Sequence, residues 1–229
     1  MSLEIDIFTL FPAAFDWLRG TRPVRNVLES GGLSLRVIDL RDFGLGAYRQ
    51  VDDPPYGGGA GMVIRVDVVC EALERTYEQP VDELRAGRRI AVLTPAGRPF
   101  SDGLAAEYAD CERLSLLAGR YEGFDHRVHE LLATEELSVG PYVLSGGEIP
   151  AMAVVDAVVR KLPGALGKVE SHLEESFSPA LEGRPEYPHY TRPEEFRGWR
   201  VPEVLLSGHH AQVAAWRERQ SRERDGSDL

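Results

Sequence analysis

Cysteine is nearly absent: only Cys70 and Cys111 occur in 229 residues, and neither has a second Cys or a His at metal-ligand spacing. A disulfide scaffold and a cysteine-based zinc module are both excluded, and the pair reads as two buried thiols in a reducing compartment. Lysine is as scarce, at Lys161 and Lys168 alone, so the basic residues are almost all arginine. Arginine suits bidentate contacts to phosphate and base edges, although a genome's base composition produces the same bias and is the simpler account. Positive charge of either kind is outweighed: 26 Lys and Arg stand against 37 Asp and Glu, a net charge of −11. Taken whole, such a surface repels nucleic acid, so any nucleic-acid site must be a local patch that reads shape and particular bases. Long apolar runs are missing too, none approaching the ~18 residues of a membrane span. The start, MSLEIDIFTLF, carries Glu4 and Asp6 where a secretory signal needs positive charge. The expectation is a soluble, cytoplasmic protein with no membrane partner.

Familiar ligand signatures are also missing. No G-x-G-x-x-G occurs, so a dinucleotide fingerprint is unsupported. GALGKV (164–169) lacks the full phosphate-loop spacing and follows a helical pattern rather than a strand. There is no H-E-x-x-H, and His126 and His129 at (i, i+3) read as a surface pair; no metal ligands are assigned. LSGG and LSGH both fail the G-x-S-x-G nucleophile elbow.

What is present is a rhythm. LEIDIFTLF (3–11) and LSLRVIDL (33–40) are strand patterns, with short helices at Pro12–Arg19 and Pro23–Glu29 between them. Residues 41–61 form a long loop ending in GGGAG, and Asp67–Glu78 has helical spacing. Three strand–turn–helix units follow. RIAVLTPAGRPF (89–100) leads to a helix over Ser101–Cys111. RLSLLAGRYEGFD (113–125) leads to one over His126–Ala133. ELSVGPYVLSGGE (136–148) leads to an apolar one over Ile149–Leu162. Alternation of this kind predicts an α/β fold, a mostly parallel sheet with helices on both faces. Ligands sit at the carboxyl ends of such strands, so the loops around Gly97, Gly119–Gly123 and Gly140–Gly147 are expected to line one pocket. The domain expectation is residues 1–163 as the main domain, 164–190 as a polar linker or active-site loop, and 191–229 as a small helical domain. The last helix should run from about Gly208 to Arg222.

Several features have two readings. Ser145-Gly-Gly-Glu148 matches a helix capping box, with Pro150 in the first turn. A cap needs no glycine pair, which points instead to a ligand approaching the backbone; the residues leave the two readings even. Asp156 and Arg160 at (i, i+4) form either an intrahelical ion pair or a route for Arg160 into the pocket, the ion pair being the simpler account. Glu170, Glu174 and Glu175, with His172, are either a solvated run or a source of a general base. RPEYPHYTRPEEFRGWR (184–200) mixes four Arg and one His with Tyr187, Tyr190, Phe196 and Trp199. That mixture suits phosphate contacts and base stacking on a folded RNA, or a helical cap packing its aromatics; both can hold.

PPYGGGAGM (54–62), TPAGRPF (94–100), AGRYEGFDHRV (118–128), SVGPYVLSGGEIPAM (138–152) and the HYTRP…VPEVLLSGHH run (189–210) occur in this order. Together they resemble the bacterial tRNA (guanine-N1)-methyltransferase family, trefoil-knotted enzymes of the SPOUT class, over nearly the whole chain. The resemblance implies a homodimer with a deep knot holding S-adenosylmethionine. It implies methylation of the guanosine immediately 3′ of the anticodon (guanosine 37) in tRNA, with loosely held magnesium. It assigns cofactor contacts to Leu93, Thr94, Pro95, Gly97, Gly119, Tyr121, Glu122, Ser138, Val139, Gly140, Tyr142, Leu144, Gly146, Gly147 and Pro150. It places the catalytic carboxylate at Glu175 and an assisting arginine at Arg160. RNA contacts are expected at Ser176, Arg184, His189, Tyr190 and Arg192. The chain departs from the family pattern at Glu175, usually Asp, at Pro141, also usually Asp, at Ala60, usually Pro, and at His126, usually an acid. The alternatives are a knotted methyltransferase for another RNA nucleotide, or a cofactor- or RNA-binding module without catalysis.

Overall fold

A computed structural model describes residues 2–166 and 175–225. The chain divides into two compact units, residues 1–167 and 168–229.

The first unit is built on five strands: β1 (Leu3–Thr9), β2 (Leu33–Asp39), β3 (Arg89–Pro99), β4 (Arg113–Leu117) and β5 (Glu135–Ser138). Their spatial order is β2-β1-β4-β3-β5, and every pairing is parallel. Four helices of eight or more residues accompany them among the described residues: α1 (Arg22–Glu29), α2 (Val66–Tyr77), α3 (Asp102–Ala109) and α4 (Glu148–Val159). Side chains alternate across a strand, and here both faces are apolar. Ile5, Ile7, Ala91, Leu93, Leu114 and Leu116 enter a core that also takes Val24 and Val27 of α1, Leu104 of α3 and Val154, Val155 and Val158 of α4. Phe8, Ile90, Val92 and Leu117 enter a second core with Val68, Val69 and Leu73 of α2 and a single π-helical turn at Val128–Leu132. Each such side chain, once buried, contributes ~1.5–3 kcal/mol, and this is why the strands read as continuous apolar runs.

One polar network crosses the second core. The Asp6 carboxylate accepts hydrogen bonds from Arg36, from the Tyr77 hydroxyl at 2.8 Å and from Arg88 at 3.0 Å, and Arg88 also reaches Glu4. The Arg88 guanidinium stacks 4.2 Å from the centre of the Tyr77 ring. Burial raises the Tyr77 phenol well above its ordinary pKa, so it stays a neutral donor to Asp6.

Several expectations are corrected in detail. Pro12–Phe15 is a tight 3-10 turn, with a short helix only at Asp16–Gly20. The 41–61 loop begins with another 3-10 turn at Leu40–Phe43, and the two-residue ladder of Asp52–Asp53 with Val63–Ile64 pins its glycine-rich tip. A helix at Val81–Gly87 went unpredicted. β3 does not turn at Thr94. It continues to Pro99 through an irregularity in which Leu93 and Arg98 both lie opposite Leu137.

The second unit contains a 3-10 turn at Pro179–Leu181 and a short ladder of Glu195–Phe196 with Trp199–Arg200. A helical turn at Glu203–Leu206 and helix α5 (His210–Arg224) follow. Its buried aromatics are Tyr187 and Trp216. The Arg217 guanidinium sits 4.6 Å over the Tyr187 ring, and Ser221 Oγ donates to the Pro185 carbonyl at 2.7 Å. No helix among the described residues is long and apolar enough to cross a membrane.

Candidate active site

The segments that leave the carboxyl ends of β3, β4 and β5 are tied to one another by backbone. The Phe100 N–H donates to the Ser138 carbonyl at 2.7 Å, and the Gly147 N–H donates to the Gly119 carbonyl at 2.8 Å. Arg120 and Gly146 form an isolated antiparallel bridge. Glycine is what allows this approach. A Cβ on Gly147 would stand 2.6 Å from Ala118 Cα, and one on Gly97 would stand 2.4 Å from the Leu137 nitrogen. In both places the obstacle is backbone, which cannot swing aside.

These segments enclose a cavity of about 260 Å³. Of the fifteen residues assigned to the cofactor, all but Gly97 line it. Gly97 instead packs against Glu136 and Leu137, where it lets the 94–99 segment lie close against the β5 backbone. Arg120, Phe124, His129 and Val143 also line the cavity, and sequence reasoning assigned none of them. Three of these four lie inside the quoted motifs. His129 is the instructive case. Its (i, i+3) partner His126 is exposed, as the surface reading has it, but His129 is largely buried and its Nδ1 lies 2.9 Å from Glu136 Oε1.

The capping box does not form. The residue before α4 is Gly147, and no side chain caps the helix. Ser145 is exposed and contributes only its carbonyl, which accepts from Arg120 at 3.2 Å. Glu148 is 3% exposed: Oε1 accepts from Thr9 Oγ1 at 3.0 Å, and Oε2 is ion-paired with Arg120 Nε at 3.0 Å. The physical reason is competition. A carboxylate at the helix start favours the N-terminal dipole whether or not it bends back to cap, and a buried charge takes the charged partner within reach.

Pro141 lies in a tight turn. The Tyr142 N–H donates to the Gly140 carbonyl at 2.9 Å, and the Tyr142 hydroxyl donates to the Val139 carbonyl at 3.1 Å. Proline's fixed φ suits such a turn, which needs no carboxylate at that position. The glycine-rich 57–61 loop leads directly to the pocket. The Ile64 N–H donates to the Gly123 carbonyl, the Glu122 N–H to the Met62 carbonyl, and Gly61 packs on the Glu122 side chain. Where this wall ends, the Arg127 guanidinium lowers the pKa of Asp125 below its ordinary value.

Arg160 is the C-terminal cap of α4 and is not among the cavity's lining residues. At 1.5 Å per residue, α4 carries it ~20 Å from Gly147. Glu175 opens the described part of the second unit, and its carbonyl accepts from the Ser178 N–H at 3.0 Å. Glu170, His172 and Glu174 lie outside the described residues. Ser176 Oγ accepts from the Glu186 N–H at 3.0 Å. The Arg184 side chain is 13% exposed and is engaged within its own loop by the Leu181 carbonyl and Glu182. His189 pairs with Glu186 at 2.8 Å, while Tyr190 and Arg192 are exposed. Among the described residues no group of three His, Cys, Asp or Glu side chains converges as a metal site.

A parallel α/β sheet with a glycine-walled cavity at its carboxyl edge defines a ligand-binding α/β protein whose site is made by loops. The model of the tRNA (guanine-1)-methyltransferase TrmD family matches residues 3–228, and the chain belongs to this family. It is 53% identical over 220 residues to a protein of Thermus thermophilus named tRNA (guanine-N(1)-)-methyltransferase, covering 96% of this chain and 87% of that one. Proteins of the same name from Pelotomaculum thermopropionicum and Listeria monocytogenes are 47% and 41% identical. These matches cover 96% and 97% of this chain, and 85% and 88% of theirs.

Proposed function

We propose that this methyltransferase carries a methyl group from S-adenosylmethionine to N1 of guanosine 37 in tRNA, with the 260 Å³ cavity as the donor site. The observation that carries the reading is that fourteen of the residues expected to hold the cofactor converge on one cavity. A pocket walled by backbone at glycines offers N–H and C=O groups to a flat polar ligand, and Leu93, Leu137, Val139 and Leu144 offer it apolar surface. Residues of the three loops would hold the cofactor there. When bound, its sulfonium supplies an electrophilic methyl group for in-line attack.

Guanine N1 carries a proton at neutral pH and is a poor nucleophile. Glu175 takes that proton as the methyl arrives, a role that contributes ~10²–10⁴ in rate. Negative charge then builds on the adjacent carbonyl oxygen, and Arg160 stabilises it as an oxyanion donor does. Glu175 is one methylene longer than the family's aspartate, so a modest backbone adjustment suffices to place its carboxylate. No step is assigned to magnesium.

The functional unit in this reading is a homodimer acting in the cytoplasm, where its substrate is. About 20 Å of helix lies between the cavity's glycines and Arg160, so a second copy is the natural source of the arginine for each cavity. Val143, at the cavity rim, is 87% exposed, and Ile149 on α4 is 62% exposed; both are apolar surface that a partner would cover. The close backbone approach of the 94–99 segment to β5, and of 145–147 to 118–120, is compatible with the trefoil knot that the family resemblance implies. Residues 1–163 act as the donor domain, 164–190 as the active-site loop, and 191–229 as the tRNA-gripping domain with Ser176, Arg184, His189, Tyr190 and Arg192.

The test is single-turnover methyl transfer to tRNA with a G36-G37 step, followed by mapping of the product. Methylation at N1 of guanosine 37 is expected. Glu175→Gln should lose ~10²–10⁴ in rate with unchanged cofactor affinity. A methyl group on another nucleotide, or near-normal turnover by Glu175→Gln, overturns the assignment, and sedimentation as a monomer at micromolar concentration overturns the dimer.

A further inference from the structure

Glu148 is a buried carboxylate beside the cavity whose side chain neither caps its helix nor reaches solvent. Its partners form a closed circuit. Thr9, at the carboxyl end of β1, donates to Glu148 Oε1 and accepts from the Phe11 N–H at 3.0 Å. Glu148 Oε2 pairs with Arg120 Nε, and the Arg120 guanidinium lies 4.5 Å over the Phe11 ring, closing the loop. Arg120 also donates to the Ser145 carbonyl. The circuit therefore fastens three segments: the end of β1, the 118–123 wall of the cavity and the 145–147 wall. The two walls are also joined by the Arg120–Gly146 bridge, which includes the hydrogen bond from the Gly147 N–H to the Gly119 carbonyl, and this contact is adjacent to the ion pair.

We infer that Glu148, acting through Arg120 and Thr9, is a positioning residue that sets the gap between the two glycine walls and thereby the affinity for S-adenosylmethionine. This rests on the reading of the cavity as the donor site. A buried ion pair adds little net stability over a well-packed apolar substitute, but removing one partner leaves the other uncompensated. Here the uncompensated group would be Arg120, which lines the cavity and whose backbone is part of its wall. The circuit contains neither of the residues assigned to proton removal and charge stabilisation, so its loss should appear in cofactor binding rather than in chemistry.

The experiment is calorimetric titration of the full chain with S-adenosylmethionine, together with steady-state methylation of tRNA. Glu148→Gln keeps the shape and the acceptor for Thr9 but removes the charge. It should raise Kd and KM for the cofactor about tenfold, equivalent to ~1.4 kcal/mol. kcat at saturating cofactor and KM for tRNA should stay within about twofold of wild type. Thr9→Val, which changes no charge and keeps the volume, should raise the same KM by a smaller factor, and it serves if Glu148→Gln folds poorly. Combining Glu148→Gln with Arg120→Gln should weaken binding no further than the worse single change, because both cut one linkage. Cofactor affinity unchanged in Glu148→Gln and Thr9→Val, or a fall in kcat with KM unmoved, overturns the inference. A wild-type chain that binds no S-adenosylmethionine fails the donor-site reading itself, and the inference with it.

Discussion

Gly147→Ala tests whether the cavity's shape depends on backbone-to-backbone contact. Gly147 has φ −80°, an ordinary value for alanine, so the substitution carries no conformational strain. Its cost is steric alone. The added methyl would sit 2.6 Å from Ala118 Cα and 2.9 Å from both the Ala118 carbonyl carbon and the Gly119 nitrogen. Main chain must then move by several tenths of an ångström, stretching the 2.8 Å bond from the Gly147 N–H to the Gly119 carbonyl. Overpacking of this kind costs ~1–3 kcal/mol. For a chain of this size each kcal/mol lowers Tm by ~2–4 °C. If the strain is relieved by parting the two walls, the same energy appears as a cofactor affinity ~5–150-fold weaker. Calorimetric titration and thermal denaturation read the two outcomes separately. Gly20→Ala is the control, since nothing lies within 4 Å of its would-be methyl, and it should be neutral or stabilising by up to ~1 kcal/mol. Wild-type affinity and wild-type Tm in Gly147→Ala together would refute the claim that the walls are in rigid contact.

Asp6→Ala leaves Arg88 buried with Glu4 as its remaining carboxylate partner, so chemical denaturation should show a loss of ~3–5 kcal/mol while cofactor affinity stays at the wild-type value. Burial raises the pKa of both the Cys70 and the Cys111 thiol. Alkylation at neutral pH should accordingly run slower than for a free thiol and accelerate on unfolding, as followed by mass spectrometry. The lowered pKa of Asp125 means that its stabilising contribution is complete above the ordinary carboxylate range and is lost as pH falls through the lowered folded value. Asp125→Asn should therefore flatten the acid limb of a stability profile slightly and leave neutral pH almost unaffected beyond a small constant loss.

What the chain alone determines is substantial, and the reasons are local. Near-continuous apolar runs on β1, β3 and β4, Ser101 capping α3, and glycine in or after β3, β4 and β5 are written in adjacent residues, so the parallel sheet and the edge bearing the pocket follow from pattern. Family membership is legible for the same reason, since its motifs are contiguous. Tertiary structure decided what depends on distant partners. Ser145 and Glu148 spell a capping box, yet Glu148 turns to Thr9, 139 positions earlier, because a buried carboxylate takes the charged and hydroxyl partners that folding brings to it. His129 looks like a surface residue until Glu136 and the cavity come within reach of it. Gly97 looks like a ligand glycine, but its absent side chain makes room for the Leu137 backbone. No spacing rule encodes which two segments will meet, because that contact exists only once the sheet has brought them together.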